Sequence, residues 1–142
     1  MTFLNLKEYT KNLTLLYVED DKNTREEFGE ILNVLFNNVV VAIDGLDGLE
    51  KFKSNDIDLI ITDINMPKMN GVKMTEQIML LDKEANIIIL SAHNESKYLI
   101  DTIKLKVAAF LLKPLSTQQF TTTLFEVVKE INQKKYKNSP SS

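Results

Sequence analysis

Short runs of Val, Ile and Leu alternate along the chain with segments whose apolar residues recur every three or four positions. Five runs stand out: LTLLYV (13–18), NVVVAI (38–43), DLIIT (58–62), NIIIL (86–90) and AAFLL (108–112). They are too short for helices and too continuously apolar for strands with one wet face, so they read as strands buried on both sides of a sheet. Between the first two, Phe28, Ile31, Leu32 and Leu35 sit at i, i+3, i+4 and i+7 and predict a helix, with Asn23 and Glu26 spaced as its capping pair. Leu46, Leu49 and Phe52 predict a shorter second helix, and Met74, Ile78 and Leu81 a third that starts just after Gly71. Asn94 is placed to cap a fourth, which carries Ile100 and Ile103. Ser116 and Gln119 form a capping box for the last, whose apolar face is Phe120, Leu124, Val127, Val128 and Ile131. Strand and helix thus alternate five times, the signature of βαβ units around a parallel sheet: an α/β fold, doubly wound, with five strands and five helices.

No repeat or linker divides the chain, so residues 13–133 read as one domain. Residues 1–12 form an N-terminal extension whose Phe3, Leu4, Leu6 and Tyr9 suit either a short docked helix or a loosely ordered arm. Residues 134–142 read as a polar, frayed tail.

Composition narrows the chemistry. With 17 basic against 20 acidic residues and a net charge of −3, the chain lacks the electrostatic footprint of a protein that holds nucleic acid by its phosphates. Cysteine is absent, which excludes disulfides, thiolate nucleophiles and Cys-based zinc sites and fits a reducing compartment. His93 is the only histidine, so oxygen ligands are left as the metal chemistry. No stretch has membrane-spanning length and the opening residues make no apolar signal core, which leads us to expect a cytoplasmic protein.

In an open doubly wound sheet of flavodoxin-like order, 2-1-3-4-5, ligands bind beyond the carboxyl ends of the strands at the switch point between the first and third. The strand ends here carry chemistry. The first ends in Glu19, Asp20 and Asp21, the third in Asp63, the fourth in Ser91 and the fifth in Lys113 before Pro114. Two carboxylates about 4 Å apart repel by roughly 4 kcal/mol at an effective dielectric near 20, so positive charge belongs among them. Mg²⁺ suits such a place, since it takes one or two carboxylates and leaves room for waters and phosphate oxygens, and Lys113 adds a mobile point charge. A carboxylate can take a phosphoryl group as a nucleophile, and Asp63, central in the sheet, is the natural acceptor.

At these residues the chain resembles response-regulator receiver domains, over roughly Leu13 to Ile131 and through YVEDD, ITDINMPKMNG, ILSA and FLLKP in that order. The resemblance implies a module of two-component signalling that takes a phosphoryl group from a sensor histidine kinase or phosphotransfer protein onto Asp63. It implies Mg²⁺ held by Glu19, Asp20, Asp63 and the backbone carbonyl of Asn65, with Asp20 the more direct of the acidic pair. It makes Ser91 the switch hydroxyl, Lys113 the phosphate-pairing lysine, Phe110 the aromatic that repacks on activation, and Asn65 and His93 positions that tune dephosphorylation. It also implies a cis Lys113–Pro114 peptide. Activation then changes the face made by the fourth helix, fifth strand and fifth helix, read by an effector domain or protein or by a second copy in a homodimer. Such a chain catalyses only its own phosphorylation and dephosphorylation and is not otherwise an enzyme.

The same residues have plainer readings. Asp63 would suit any strand end before a Pro/Gly turn, Ser91 any turn, Phe110 any core, and His93 an exposed loop. Asp21 reads better as a solvated residue with a capping role than as a ligand. Met66, Met69 and Met74 suggest packing, not a cofactor stripe. Two departures from the family touch loop shape and the switch: Lys106 stands where glycine is common, and Phe110 lacks the hydroxyl of the frequent tyrosine. A haloacid-dehalogenase-type phosphatase would need a second acid at Asn65 and a cap domain. A flavodoxin would need a hydroxyl and glycine-rich loop where this chain has acids. The remaining rival is a vestigial receiver, a phosphorylation-independent interaction module, but the acids, Asp63 and Lys113 are all in place.

Overall fold

The computed structural model describes residues 3–92 and 99–138. Its elements run α1 Phe3–Thr10, β1 Thr14–Val18, α2 Lys22–Leu35, β2 Asn38–Ala42, α3 Gly45–Ser54, β3 Leu59–Asp63, α4 Gly71–Leu81, β4 Ile87–Ser91, α5 Leu99–Lys104, β5 Ala109–Leu112 and α6 Thr117–Asn138. The strands form one sheet, all parallel as the alternation predicts, in the flavodoxin-like order β2-β1-β3-β4-β5.

Successive side chains of a strand point to opposite faces, and here both faces are covered. Leu15, Tyr17, Ile61, Ile88 and Leu90 join Leu32 and Leu35 of α2 and Phe120, Leu124 and Val128 of α6 in one cluster. Leu16, Val18, Ile60, Ile87 and Ile89 join Leu49 of α3 and Met74 and Ile78 of α4 in the other. That double burial is why the strands read as unbroken apolar runs.

Several expectations need correction. Among the described residues there are six helices, not five, because the extension folds as α1 and docks. Leu6 is fully buried in the cluster shared by α2 and α6, and the Thr10 hydroxyl donates to the Leu35 carbonyl at the end of α2. Tyr9 meets Phe125 edge to face at 5.0 Å, and Asn132 Nδ2 donates to the Tyr9 carbonyl at 2.8 Å. The polar tail is not frayed from residue 134: α6 continues to Asn138, with Lys135 2.8 Å from Asp58 and Lys134 3.9 Å from Glu130.

The cap of α2 is Asp21 and not Asn23; its Oδ2 accepts from the Thr24 amide at 2.9 Å and from the Thr24 hydroxyl at 2.7 Å. An ionised carboxylate is the stronger partner for helix-terminal amides, which starts the helix two residues early. Ser116 does cap α6, its Oγ accepting from the Gln119 amide at 3.2 Å. Asn94, expected to cap the helix now numbered α5, lies outside the described residues. Ile100 and Ile103, expected as that helix's apolar stripe, are 65% and 66% exposed.

Lys106, in the place of a common glycine, follows α5 with φ 56°, so a lysine occupies the left-handed conformation that closes the helix. The Lys113–Pro114 peptide is cis.

Two stability measurements follow from this packing. Leu6→Ala should lower the unfolding free energy by about 3 kcal/mol in urea titration, and a neutral result would mean that α1 is not part of the core. Lys106→Gly should raise it by about 0.5–1 kcal/mol, since glycine takes positive φ without a Cβ clash.

Candidate functional site

The sheet delivers four side chains to one end. Asp63 is the last residue of β3, and β1, β4 and β5 end beside it, so each βα turn starts from the same rim. Glu19 prolongs β1, its amide donating to the Ala42 carbonyl at 3.1 Å, and its side chain is buried. The Asp21 amide returns to Glu19 Oε2 at 3.1 Å, which folds the acidic turn back over the strand end.

Oxygens of Glu19, Asp20 and Asp63 lie within 4.8 Å of one another; Glu19 and Asp63 are buried and Asp20 is exposed. Lys113 Nζ sits 3.1 Å from Asp63 Oδ2 and 3.6 Å from Glu19 Oε1, so one lysine from β5 neutralises carboxylates from β1 and β3. Asp63 Oδ1 accepts from the Ile64 amide at 2.9 Å. The donor set of three carboxylates, hard and anionic, fits a hard divalent cation such as Mg²⁺ and not a soft metal.

Burial pushes the Glu19 carboxyl up to about 7, the Asp21 amide opposes the shift, the Asp63 charge adds to it, and Lys113 lowers it. Its exposed neighbour Asp21 moves the other way, held below the usual carboxylate range by the Thr24 hydroxyl and amide. Burial and the nearby Glu19 and Asp63 charges raise the Tyr17 phenol far enough to keep it neutral at any physiological pH.

Ser91 ends β4 fully buried beside Leu112 of β5, its hydroxyl donating to the Ala92 carbonyl at 3.1 Å. Phe110 lies two residues back along β5, opposite Ile89, half-buried against the cluster on the α3 and α4 side. Asn65 is exposed in the loop after Asp63, between buried Ile64 and Met66. His93, the other tuning position, lies outside the described residues.

Two contacts hold that loop. Gly71 passes so near β3 that a Cβ there would stand 2.2 Å from the Asp63 carbonyl oxygen, and its amide donates to Ile64 O at 2.7 Å. Gly45 donates to the Met69 carbonyl at 3.1 Å and likewise leaves no room for a Cβ. The residue that sequence reasoning missed is Arg25, whose Nη1 donates to the carbonyls of Glu19 at 2.9 Å and Asp20 at 3.2 Å. Its only signal in the sequence is a cation one helical turn beyond an acidic strand end.

Comparison with known proteins agrees with this geometry. Residues 15–125 match the family described as response regulator receiver domain. The chemotaxis protein CheY of Treponema pallidum is 33% identical over 118 residues, 81% of this chain and 82% of that protein. The transcriptional regulatory protein HptR of Staphylococcus aureus is 32% identical over 126 residues, 87% of this chain but 49% of that protein, so the chain spans about half the length of that relative. Among solved structures, the CheX–CheY–BeF3–Mg²⁺ complex of Borrelia burgdorferi superposes with a TM-score of 0.74 at 29% identity, covering 82% of this chain and 90% of that one.

The raised Glu19 carboxyl has a definite sign. Between about 4.5 and about 7 the folded protein holds the Glu19 proton more tightly than the unfolded chain, so Glu19 makes stability fall as pH rises through that window. In EDTA, Glu19→Gln should therefore gain in stability over wild type as pH rises from 4 to 8, with the difference smallest at pH 4, below the ordinary glutamate range. Urea titrations at the two pH values check this, and an equal difference at both would refute it.

Proposed function

The chain belongs to the response-regulator receiver domain family, and from that premise we propose that it accepts a phosphoryl group on Asp63 and signals by the resulting change of surface. The observation that carries the reading is the meeting of Asp63 with the Glu19–Asp20 pair and Lys113 at one strand-end rim.

The chemistry divides among these residues. An Asp63 carboxylate oxygen attacks phosphorus in a phosphohistidine of the donor; a P–O bond forms, the P–N bond breaks, and the imidazole leaves with its electron pair and takes up a proton. Lys113, 3.1 Å from Asp63 Oδ2, is placed to follow the charge onto a phosphoryl oxygen. When bound, Mg²⁺ would be held by Glu19, Asp20, Asp63 and the Asn65 carbonyl and would neutralise phosphoryl oxygens. The Borrelia burgdorferi neighbour was solved with Mg²⁺ and BeF3, which supports this reading here. Water attack on the acyl phosphate returns the carboxylate and inorganic phosphate, a step whose rate we assign to Asn65 and His93 to tune. Asn65 offers no general acid, so we read the chain as acting on itself and not as a phosphatase of other substrates.

The Ser91 hydroxyl, now spent on the Ala92 carbonyl, would turn to a phosphoryl oxygen, and the space behind it would take the half-buried Phe110 ring. The surface that changes is α5–β5–α6, the face set out above as fourth helix, fifth strand and fifth helix. Its exposed Ile100, Ile103 and Leu112 are apolar groups that a reader can cover. We assign the donor role to a sensor histidine kinase or phosphotransfer protein and the reader role to an effector or a second copy, with the cytoplasm as the place of work. Among the described residues no helix is long and apolar enough to cross a membrane.

Incubation with acetyl phosphate and Mg²⁺, read by intact mass, should give one phosphoryl adduct on the wild type and none on Asp63→Asn or in EDTA. An unlabelled wild type, under conditions that label another receiver, would favour a phosphorylation-independent interaction module.

A further inference from the structure

The acidic turn poses a mechanical problem. Glu19 is fixed from two sides, its amide to Ala42 O and its Oε2 to the Asp21 amide, but Asp20 is exposed, and among the described residues its side chain meets only the neighbouring Glu19 carboxyl. Both carboxylates ride on the same short turn, so their position relative to Asp63 depends on how that backbone is held. The carbonyls of Glu19 and Asp20 point to the same guanidinium nitrogen, Arg25 Nη1, at 2.9 and 3.2 Å. Arg25 is itself anchored one turn into α2, its amide donating to the Asp21 carbonyl at 2.8 Å. The helix N-terminus offers only amides, and those of Thr24 and Arg25 are taken by Asp21. A planar, multi-donor cation is the group that can serve two successive carbonyls at once.

We infer that Arg25 is a positioning residue for the cation site: by tying the Glu19 and Asp20 carbonyls to α2, it holds both carboxylates toward Asp63. The inference rests on the reading of these acids as Mg²⁺ ligands and adds a residue to it. Two physical effects of Arg25 on Mg²⁺ have opposite signs, which makes the role testable. As a nearby positive charge it repels a dication, so on charge alone its removal would tighten binding. As a clamp on ligand-bearing backbone, its removal loosens binding, and supports of this kind are typically worth about 10–100-fold in metal affinity.

Calorimetric titration of the full chain with Mg²⁺ separates these. For Arg25→Gln we expect an affinity lower by about tenfold, and an acetyl phosphate labelling rate that returns to within about twofold of wild type once Mg²⁺ is saturating. Arg25→Lys keeps the charge but presents a single ammonium to two carbonyls, so it should fall between the two. It also serves as the decisive variant if thermal melting shows Arg25→Gln to be unfolded. Unchanged or tighter Mg²⁺ binding in a folded variant would overturn the inference. Asp20→Asn is the companion control: if it binds Mg²⁺ as well as wild type does, the ligand reading itself fails, independently of Arg25.

Discussion

Three carboxylates crowded within 4.8 Å repel one another, and the architecture around them exists to hold them there. Glu19 and Asp63 cannot drift apart because each terminates a strand of the same sheet, and β1 and β3 are hydrogen-bonded neighbours. The force between them is met by Lys113 from a third strand, close to both. The residual strain in charge is visible at Glu19, whose carboxyl is pushed up to about 7 chiefly by burial, with Asp63 adding to it. A site in this condition favours any event that brings positive charge, and a change of charge on a single carboxylate is felt by all three.

Holding that balance explains features remote from the charges. The loop after Asp63 is pinned by Gly71 and Gly45, both at distances that admit no side chain. The turn before α2 is closed by Asp21 on one side and Arg25 on the other. The frame beneath is a sheet packed on both faces. To it α1 adds Leu6 and Thr10, tying the ends of α2 and α6 together. The apolar surface left over lies partly on α5 and β5, where Ile100, Ile103 and Leu112 stand in solvent.

Legibility in the sequence followed the range of the interaction concerned. The strands were readable within a residue or so, because burial on two faces writes a continuous apolar run into adjacent positions. That Asp63, Glu19, Asp20 and Lys113 gather at one rim is legible because each closes a run, and parallel strands bring their carboxyl ends to one edge. Asn23 was misread as a cap because Asp21 lies at the same spacing from Thr24 as Asn23 does from Glu26, and only coordinates show which side chain meets the amide. Ile100 and Ile103 have the period of a buried stripe, yet a short helix at the edge of the sheet leaves them uncovered.

The amino-acid pattern was enough for the fold class and the identity of the charged groups, and family likeness for the strand order. These follow from local periodicity and from residue chemistry, which are properties of neighbouring positions. That the first residues dock as a helix came from packing at long range, since Leu6 needs a cavity built by α2 and α6, over a hundred positions apart at their far ends. The same holds for Lys106, which takes a glycine's conformation, and for Arg25, which reaches back to the carbonyls of the acidic turn. Those outcomes depend on which groups meet in space, and a pattern of side-chain types along the chain does not record the directions of carbonyls.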